Sequence, residues 1–296
     1  MVDLHIHTTH SDGFQTVSEL LQMAEQQKLQ YISFTDHMTV DAYKELKDPN
    51  IRKLFSGTII PGVEIEFIYQ DVKNELIGYG IDIDKIRKHK FLSEKYKLNR
   101  YKTYRADLYN LFTRLGFHLR PISEIEREAI ETGERFFTII KRDLRKGEIN
   151  KDVRIKTFGE PDNYITHKTF WLNEIYQPTG KYHIPLETPT MEEASKTIRD
   201  AGGLVFMAHV FRTPQDKSIE ILEYATKNKL IDGIEVYYND LTHSFTDEQV
   251  AFLEDYCKKH NLLISGGSDN HGRNGEALSH LPKERITLIQ HLKKKE

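Results

Sequence analysis

The sequence predicts an α/β fold of about seven short strands, interrupted by a long helical insertion. Three observations carry this. Short apolar runs alternate with amphipathic or turn segments over residues 1–83, the alternation stops over 84–189, and it resumes at Thr190. The apolar run 2–7 is the first candidate strand. Thr16 and Glu19 then form a Thr-x-x-Glu capping box. Val17, Leu20, Leu21 and Ala24 follow at helical spacing, which predicts a helix over 17–28 with one buried face. Residues 31–35 read as the second strand, and 59–68 and 75–81 as the third and fourth, the third interrupted early by Pro61-Gly62.

From Asp84 the chain becomes helical and charged. Residues 84–120 hold eleven Lys or Arg against three acids, and Tyr101, Tyr104, Leu108, Leu111 and Leu115 form an apolar stripe there. Two readings stand side by side: a solvated basic helix whose stripe packs on the α/β body, or a lid facing a substrate. Thr190 and Glu193 make a second capping box. Three further strands, 204–210, 233–238 and 262–268, are separated by helices, one near 247–259 that opens with Thr246 and Gln249 in the same spacing. The predicted organisation is an α/β body of residues 1–83 and 190–296 carrying an inserted helical subdomain, 84–189.

The composition narrows the function. The chain has 296 residues, 38% hydrophobic and 29% charged, with the two well mixed, which fits a globular protein rather than a disordered one. No run approaches the roughly 20 apolar residues of a membrane helix, and the first residues lack a signal-peptide hydrophobic region, so neither membrane insertion nor secretion is expected. Cys257 is the only cysteine; this excludes disulfides within the chain and thiolate zinc sites, and a cytoplasmic location is the expectation. Any metal must bind through His, Asp and Glu. The net charge of −3 gives no whole-molecule attraction to nucleic acid.

The chemistry-bearing residues fall at or just past the predicted strand ends, where an α/β barrel builds its active site. His5 and His7 end the first strand, and their i, i+2 spacing puts both imidazoles on one face. His37 follows the second strand, Glu64 lies on the third, His209 ends the fifth, and Asp269 and His271 follow the last. The motifs are His-x-His-Thr-x-x-Ser-Asp-Gly from His5, Thr35-Asp36-His37, Gly62-Val63-Glu64, Ala208-His209, and Gly267-Ser268-Asp269-Asn270-His271-Gly272. In these the chain resembles the PHP (polymerase and histidinol phosphatase) metal-dependent phosphoesterases, over residues 1–83 and about 190–275.

The resemblance implies a distorted (β/α)7 barrel, with the helical insertion after the fourth strand. It implies two or three divalent ions, commonly zinc, manganese or iron, held by His5, His7, Asp12, His37, Glu64, His209, Asp269 and His271, with Glu64 as the bridging carboxylate. Imidazole and carboxylate together suit those metals better than Mg or Ca. Relatives that hydrolyse nucleoside phosphates usually carry a His before the Leu-Gly of strand four, where this chain has Glu75, and a Pro where it has Val210. Glu75 can ligate the same ion. Arg212 matches an Arg implied to bind substrate phosphate, for which a planar guanidinium is suited. Asp36 is expected to orient His37 or a neighbouring ligand, Glu235 to support a ligand or meet substrate, His243 to contact substrate or donate a proton, and His10 to line the mouth.

The implied activity is hydrolysis of a phosphate ester on a small metabolite, a nucleotide or 3',5'-nucleoside bisphosphate, with Asp12, His37 and His209 among the catalytic groups and a metal-bridged hydroxide attacking phosphorus. The alternatives are an exonuclease acting on short RNA or DNA and a non-catalytic metal-binding module. No membrane and no obligate protein partner is expected.

Overall fold

The computed structural model describes residues 1–70, 72–132, 134, 136–158, 171–176, 180–212, 215–238, 244–273 and 277–294. The chain divides into two compact units, Met1–Ser93 with Thr188–Glu296, and Glu94–Glu187.

In the first unit the elements run β1 (Val2–Ile6), α1 (Val17–Gln26), β2 (Tyr31–Phe34), α2 (Ala42–Glu45), α3 (Pro49–Arg52), β3 (Thr58–Ile59), β4 (Gly62–Tyr69), β5 (Val72–Tyr79) and α4 (Ile83–Arg87). The second unit contributes α5 (Glu94–Arg114), α6 (Ile122–Thr132), α7 (Phe136–Leu144), α8 (Glu148–Phe158) and a short π-helical turn, Trp171–Tyr176. The first unit then resumes with α9 (Met191–Asp200), β6 (Leu204–Met207), α10 (Gln215–Lys227), β7 (Gly233–Tyr238), α11 (Asp247–His260), β8 (Leu263–Gly267) and α12 (Thr287–Lys293). All three capping boxes form: Thr16 with Glu19, Thr190 with Glu193 and Thr246 with Gln249 each exchange side-chain and backbone hydrogen bonds. Asn261 ends α11 in the left-handed conformation, which asparagine tolerates better than most residues.

The strands form two sheets rather than one closed barrel. One has the order β1-β2-β3, all parallel; the other runs β4-β5-β6-β7-β8. The expected third strand is two strands. Pro61 has no N–H to give a ladder, and the Gly62 N–H donates to the Tyr43 hydroxyl at 2.7 Å while a Cβ there would lie 2.2 Å from Ser33 Oγ, so the chain leaves one sheet at Ile59 and enters the other at Gly62. β4 and β5 are an antiparallel hairpin with Tyr69 opposite Val72, and β5 is antiparallel to β6 as well. A two-residue link cannot make the crossover that parallel strands need. The described chain therefore has eight strands, with the helical unit following the fifth. Between the sheets lies the core of the unit, where the buried Tyr79 hydroxyl donates to the Leu4 carbonyl at 3.0 Å and its ring meets Phe206 edge-on.

The helical unit has a core of its own. Tyr104, Leu108 and Phe112 from α5 pack with Phe117, Ile125 of α6, Phe136, Ile139, Ile140 and Leu144 of α7, and Trp171, Ile175 and Ile184. The stripe read from the sequence is thus buried within its own unit, with Leu111 and Leu115 at its edge and Tyr101 exposed. Several of the basic residues are structural: Arg120 pairs with Asp143 and Glu128, and Arg100 is buried.

Candidate metal centre

β1 delivers the first two ligands. Its five residues are all buried, and period-two alternation turns His5 and then His7 to the same side, their Nε2 atoms 3.2 Å apart and both side chains fully inaccessible. Glu64, also fully buried on β4, lies at the centre. Its Oε1 is 3.3 Å from His5 Nε2 and 3.1 Å from His209 Nε2, and its Oε2 is 3.3 Å from His7 Nε2 and 3.1 Å from His37 Nδ1. Asp269 Oδ1 stands 3.0 Å from His7 Nε2 and 3.3 Å from His5 Nε2. Glu75 Oε2 is 3.2 Å from His209 Nε2. Toward the surface, Asp12 Oδ1 is 3.2 Å from His271 Nε2 and 3.7 Å from His37 Nε2. All nine residues singled out as ligands are brought together.

Their donor atoms fall into groups able to hold a cation: His5, His7, Glu64 and Asp269; Glu64, Glu75 and His209; His7, Asp12, His37 and His271; and His37, Glu66 and Glu75. Glu66 was missed by the sequence reading. It sits two residues beyond Glu64 on the same strand, so the alternation that paired His5 with His7 also points to it, although Lys73 Nζ lies 3.2 Å from its carboxylate.

Surrounding groups fix this arrangement. Glu235 accepts from His5 Nδ1 at 2.8 Å with one oxygen and from the His209 backbone N–H at 2.8 Å with the other. Asp3 accepts from Ser268 Oγ (2.6 Å), Ser268 N, Ser279 N and His5 N, which ties β1 to the loop carrying Asp269. Asp36 does not hold His37; it accepts from Thr8 N, Thr8 Oγ1 and Ser11 Oγ and so pins the loop between His7 and Asp12. Gly13 lets that loop close, since a Cβ there would lie 2.5 Å from the His7 carbonyl oxygen. His209 (φ 21°) and Asp269 (φ 53°) have positive φ, strain that costs on the order of 1–3 kcal/mol per residue and persists where surrounding contacts over-determine it.

The charges are mutually dependent. Burial opposes a charge on His7, yet hydrogen bonds to Asp269 and Glu64 outweigh it and raise the imidazole to about 10. Burial is likewise overcome at His209, raised to about 9 by Glu64 and Glu75, and at His5, raised well above its usual value by Glu235, Glu64 and Asp269. The imidazoles in turn overcome burial and hold Glu64, Asp269 and Asp12 below the carboxylate range.

Divalent ions fit this donor set. Among the described residues, Asp12 Oδ1, His37 Nδ1, Glu64 Oε2 and His209 Nδ1 are buried with ion-pair neighbours at most and no well-formed hydrogen bond, a costly condition that coordination would relieve at the atoms facing the cluster. The mixture of imidazole and carboxylate suits zinc, manganese or iron.

Of the other expected residues, Arg212 lies in the turn after β6 with Nη1 3.0 Å from Asp269 Oδ2, its side chain 44% exposed. His10 meets Glu45 at 2.5 Å at the half-buried rim. His243 lies outside the described residues. Two neighbours carried no motif: Tyr238, whose hydroxyl donates to Asp269 Oδ2 at 3.0 Å, and Arg273, 3.7 Å from Asp12 Oδ2.

A model of the PHP domain family matches residues 3–149. The 5'-3' exoribonuclease Rnm of Salmonella typhimurium is 32% identical over 93 residues, 31% of this chain and 32% of that protein, so the match spans about a third of the length of that relative. Phosphoribosyl 1,2-cyclic phosphate 1,2-diphosphodiesterase of Eggerthella lenta is 23% identical over 285 residues, 92% of this chain and 95% of its own. Among solved structures, an amidohydrolase from Chromobacterium violaceum with bound sulfate superposes with a TM-score of 0.66 at 20% identity, covering 99% of this chain and 96% of that one. It shares the fold.

Proposed function

We propose, from the premise that the chain belongs to the PHP family, that it is a metal-dependent phosphoesterase acting on a small phosphorylated metabolite. The observation that carries this reading is Glu64, a single buried carboxylate within 3.3 Å of four imidazole rings. His5, His7, Glu64 and Asp269 would hold one ion, Glu64, Glu75 and His209 a second, and Asp12, His37 and His271 a third. Such ions acidify water and neutralise charge on phosphoryl oxygens. The remaining work falls to the chain. Arg212 offers its half-exposed guanidinium to the phosphate while Asp269 keeps it aimed, and the Tyr238 hydroxyl donates to the same oxygen, Oδ2, of that carboxylate. Asp12, 37% exposed beside His271, is the ligand nearest solvent in this arrangement.

The substrate class we favour is a nucleotide or a 3',5'-nucleoside bisphosphate, in a cytoplasmic setting. His243 is retained as a substrate contact. The name of the Eggerthella relative, aligned over nearly the whole chain, extends the class to small phosphodiesters, and the exoribonuclease match supports a second reading as an exonuclease on short RNA. The distorted (β/α)7 barrel remains a proposal for the fold class, beside the two sheets of eight strands described above.

Elemental analysis of purified protein, followed by hydrolysis assays on nucleoside mono- and bisphosphates, cyclic phosphates and oligonucleotides, tests the proposal. Chelation should abolish turnover, and Mn or Zn should restore it. Undiminished hydrolysis by protein verified as metal-free would refute it.

A further inference from the structure

The helical unit is charged oppositely to the rest of the chain. Residues 94–187 hold 18 Lys or Arg against 14 Asp or Glu, in a protein whose net charge is −3. Within that unit Thr138, Lys141, Arg142, Arg145 and Lys146 line a cavity of about 540 Å³ along one side of α7 and just past its end.

The four cations are not equivalent. Arg142 is matched by Glu128 and Glu134, and Lys146 lies 3.4 Å from Asp143, so these two have structural partners. Lys141 and Arg145 have no acidic partner within ion-pair distance among the described residues. They stand at i, i+4, an arrangement in which like charges repel. Lys141 rests on the face of the buried Trp171, its Nζ 4.9 Å from the ring centroid, which fixes the ammonium without neutralising it. Burial and Arg145 together lower the Lys141 pKa, so an anion would relieve both costs. Stabilisation of the α7 C-terminus accounts for Lys141 and Arg142, in its last turn, but not for Arg145 crowding Lys141 beyond it.

We propose that this cavity is an anchoring site for the phosphodiester backbone of a single-stranded oligonucleotide. From Thr138 to Arg145 the helical rise is about 10 Å, longer than one phosphate group and enough for two consecutive phosphates of an extended strand to meet Lys141 and Arg145. A free phosphate would engage only part of that span. The site is independent of the metal centre, and the proposal stands whether or not the chain hydrolyses RNA.

The test is fluorescence anisotropy with the full-length protein as purified and a labelled phosphorothioate oligouridylate, which resists hydrolysis, titrated across salt concentrations. Lys141→Ala/Arg145→Ala should weaken binding about tenfold at low salt and flatten the slope of log K against log salt by about 1.4, two contacts at about 0.7 each. Arg145 is exposed, so Arg145→Ala alone tests the site without disturbing Trp171 and should flatten the slope by about 0.7. Metal content and hydrolysis of a small phosphate ester should stay at wild-type values in both variants, which separates this site from the metal centre. Inorganic phosphate should displace the probe only at concentrations far above that of the oligonucleotide. Wild-type protein that does not bind at low salt, variants that bind with unchanged slope, or displacement by phosphate at concentrations comparable to the probe would each overturn the proposal.

Discussion

Glu235→Gln isolates the group behind the metal ligands. The native carboxylate is fully buried and accepts twice, from His5 Nδ1 and from the His209 N–H, both at 2.8 Å. Glutamine has nearly the same shape but only one accepting oxygen. If that oxygen faces His5, the amide NH2 confronts the His209 N–H, and a buried donor without an acceptor costs about 1–3 kcal/mol. If it faces His209, the amide donates to His5 Nδ1 and the ring proton must move to Nε2, the atom that faces Glu64 and Asp269. Either orientation damages a ligand. Loss of such a supporting partner typically lowers metal affinity about 10- to 100-fold, equivalent to about 1.4–2.8 kcal/mol. Competition against a chromophoric chelator measures the affinity, and a melting curve of the metal-free variant shows whether the fold has survived. A variant that folds and binds zinc or manganese as tightly as wild type would refute the reasoning.

Three further predictions concern charge. In the metal-free protein His7 and His209, raised to about 10 and about 9, carry protons at neutral pH, whereas ligation requires them neutral. With His5 raised as well, metal binding should expel about three protons and tighten as pH rises toward 9; calorimetric heats that do not change with the ionisation enthalpy of the buffer would contradict this. The same raised values mean that these contacts stabilise the metal-free fold fully below the free-histidine value of 6.5, and that the stabilisation fades as pH climbs through 9 to 10. Arg212→Ala should lower kcat/KM about 10- to 100-fold on every phosphate substrate with metal content unchanged, since Tyr238 still holds Asp269, and Arg212→Lys should fall between. Equal kcat/KM for wild type and Arg212→Ala would remove the residue from the site.

What could be read in the sequence was what short-range periodicity encodes. Two-residue alternation placed His5 beside His7, and the Thr-x-x-Glu and Thr-x-x-Gln spacings located three helix starts. Sheet membership was harder. Pro61-Gly62 was visible as an interruption but not as a transfer between sheets, which depends on Tyr43 and Ser33 receiving Gly62. The β4–β5 hairpin was hidden because its turn is not an Asn-Gly or Asp-Gly pair; Gln70 adopts φ 51° without the residue that usually announces it. Asp36 supports the neighbouring ligands His7 and Asp12 rather than His37, and which of the two alternatives it would serve was hidden for a related reason. Its neighbour in sequence is His37, but its hydrogen bonds run to Thr8 and Ser11, about 25 residues earlier, and no local pattern reports such a contact. The stripe on α5 was legible as apolar, while its burial within its own unit depended on α6 and α7.

The placement of the ligands relative to the two sheets gives the site a structural consequence. Among the described residues the sheets are linked by isolated parallel bridges, Ile6 to Asn270 and His37 to Glu64. Ile6 lies between His5 and His7, Asn270 between Asp269 and His271, and the second bridge joins two ligands directly. The backbone ladder is thus thinnest where the side chains are most densely charged. Two sheets with so few bonds across the seam gain little cooperativity from the backbone there, and the imidazole–carboxylate contacts supply cohesion that is fully expressed only while protons or ions balance the four carboxylates Glu64, Glu75, Asp269 and Asp12. A cation held by His5 and His7 on one side and Glu64 and Asp269 on the other would add a link across this seam. Metal affinity and the stability of the α/β unit are therefore linked quantities, and a substitution at a ligand changes how firmly the sheets are joined as well as the chemistry between them.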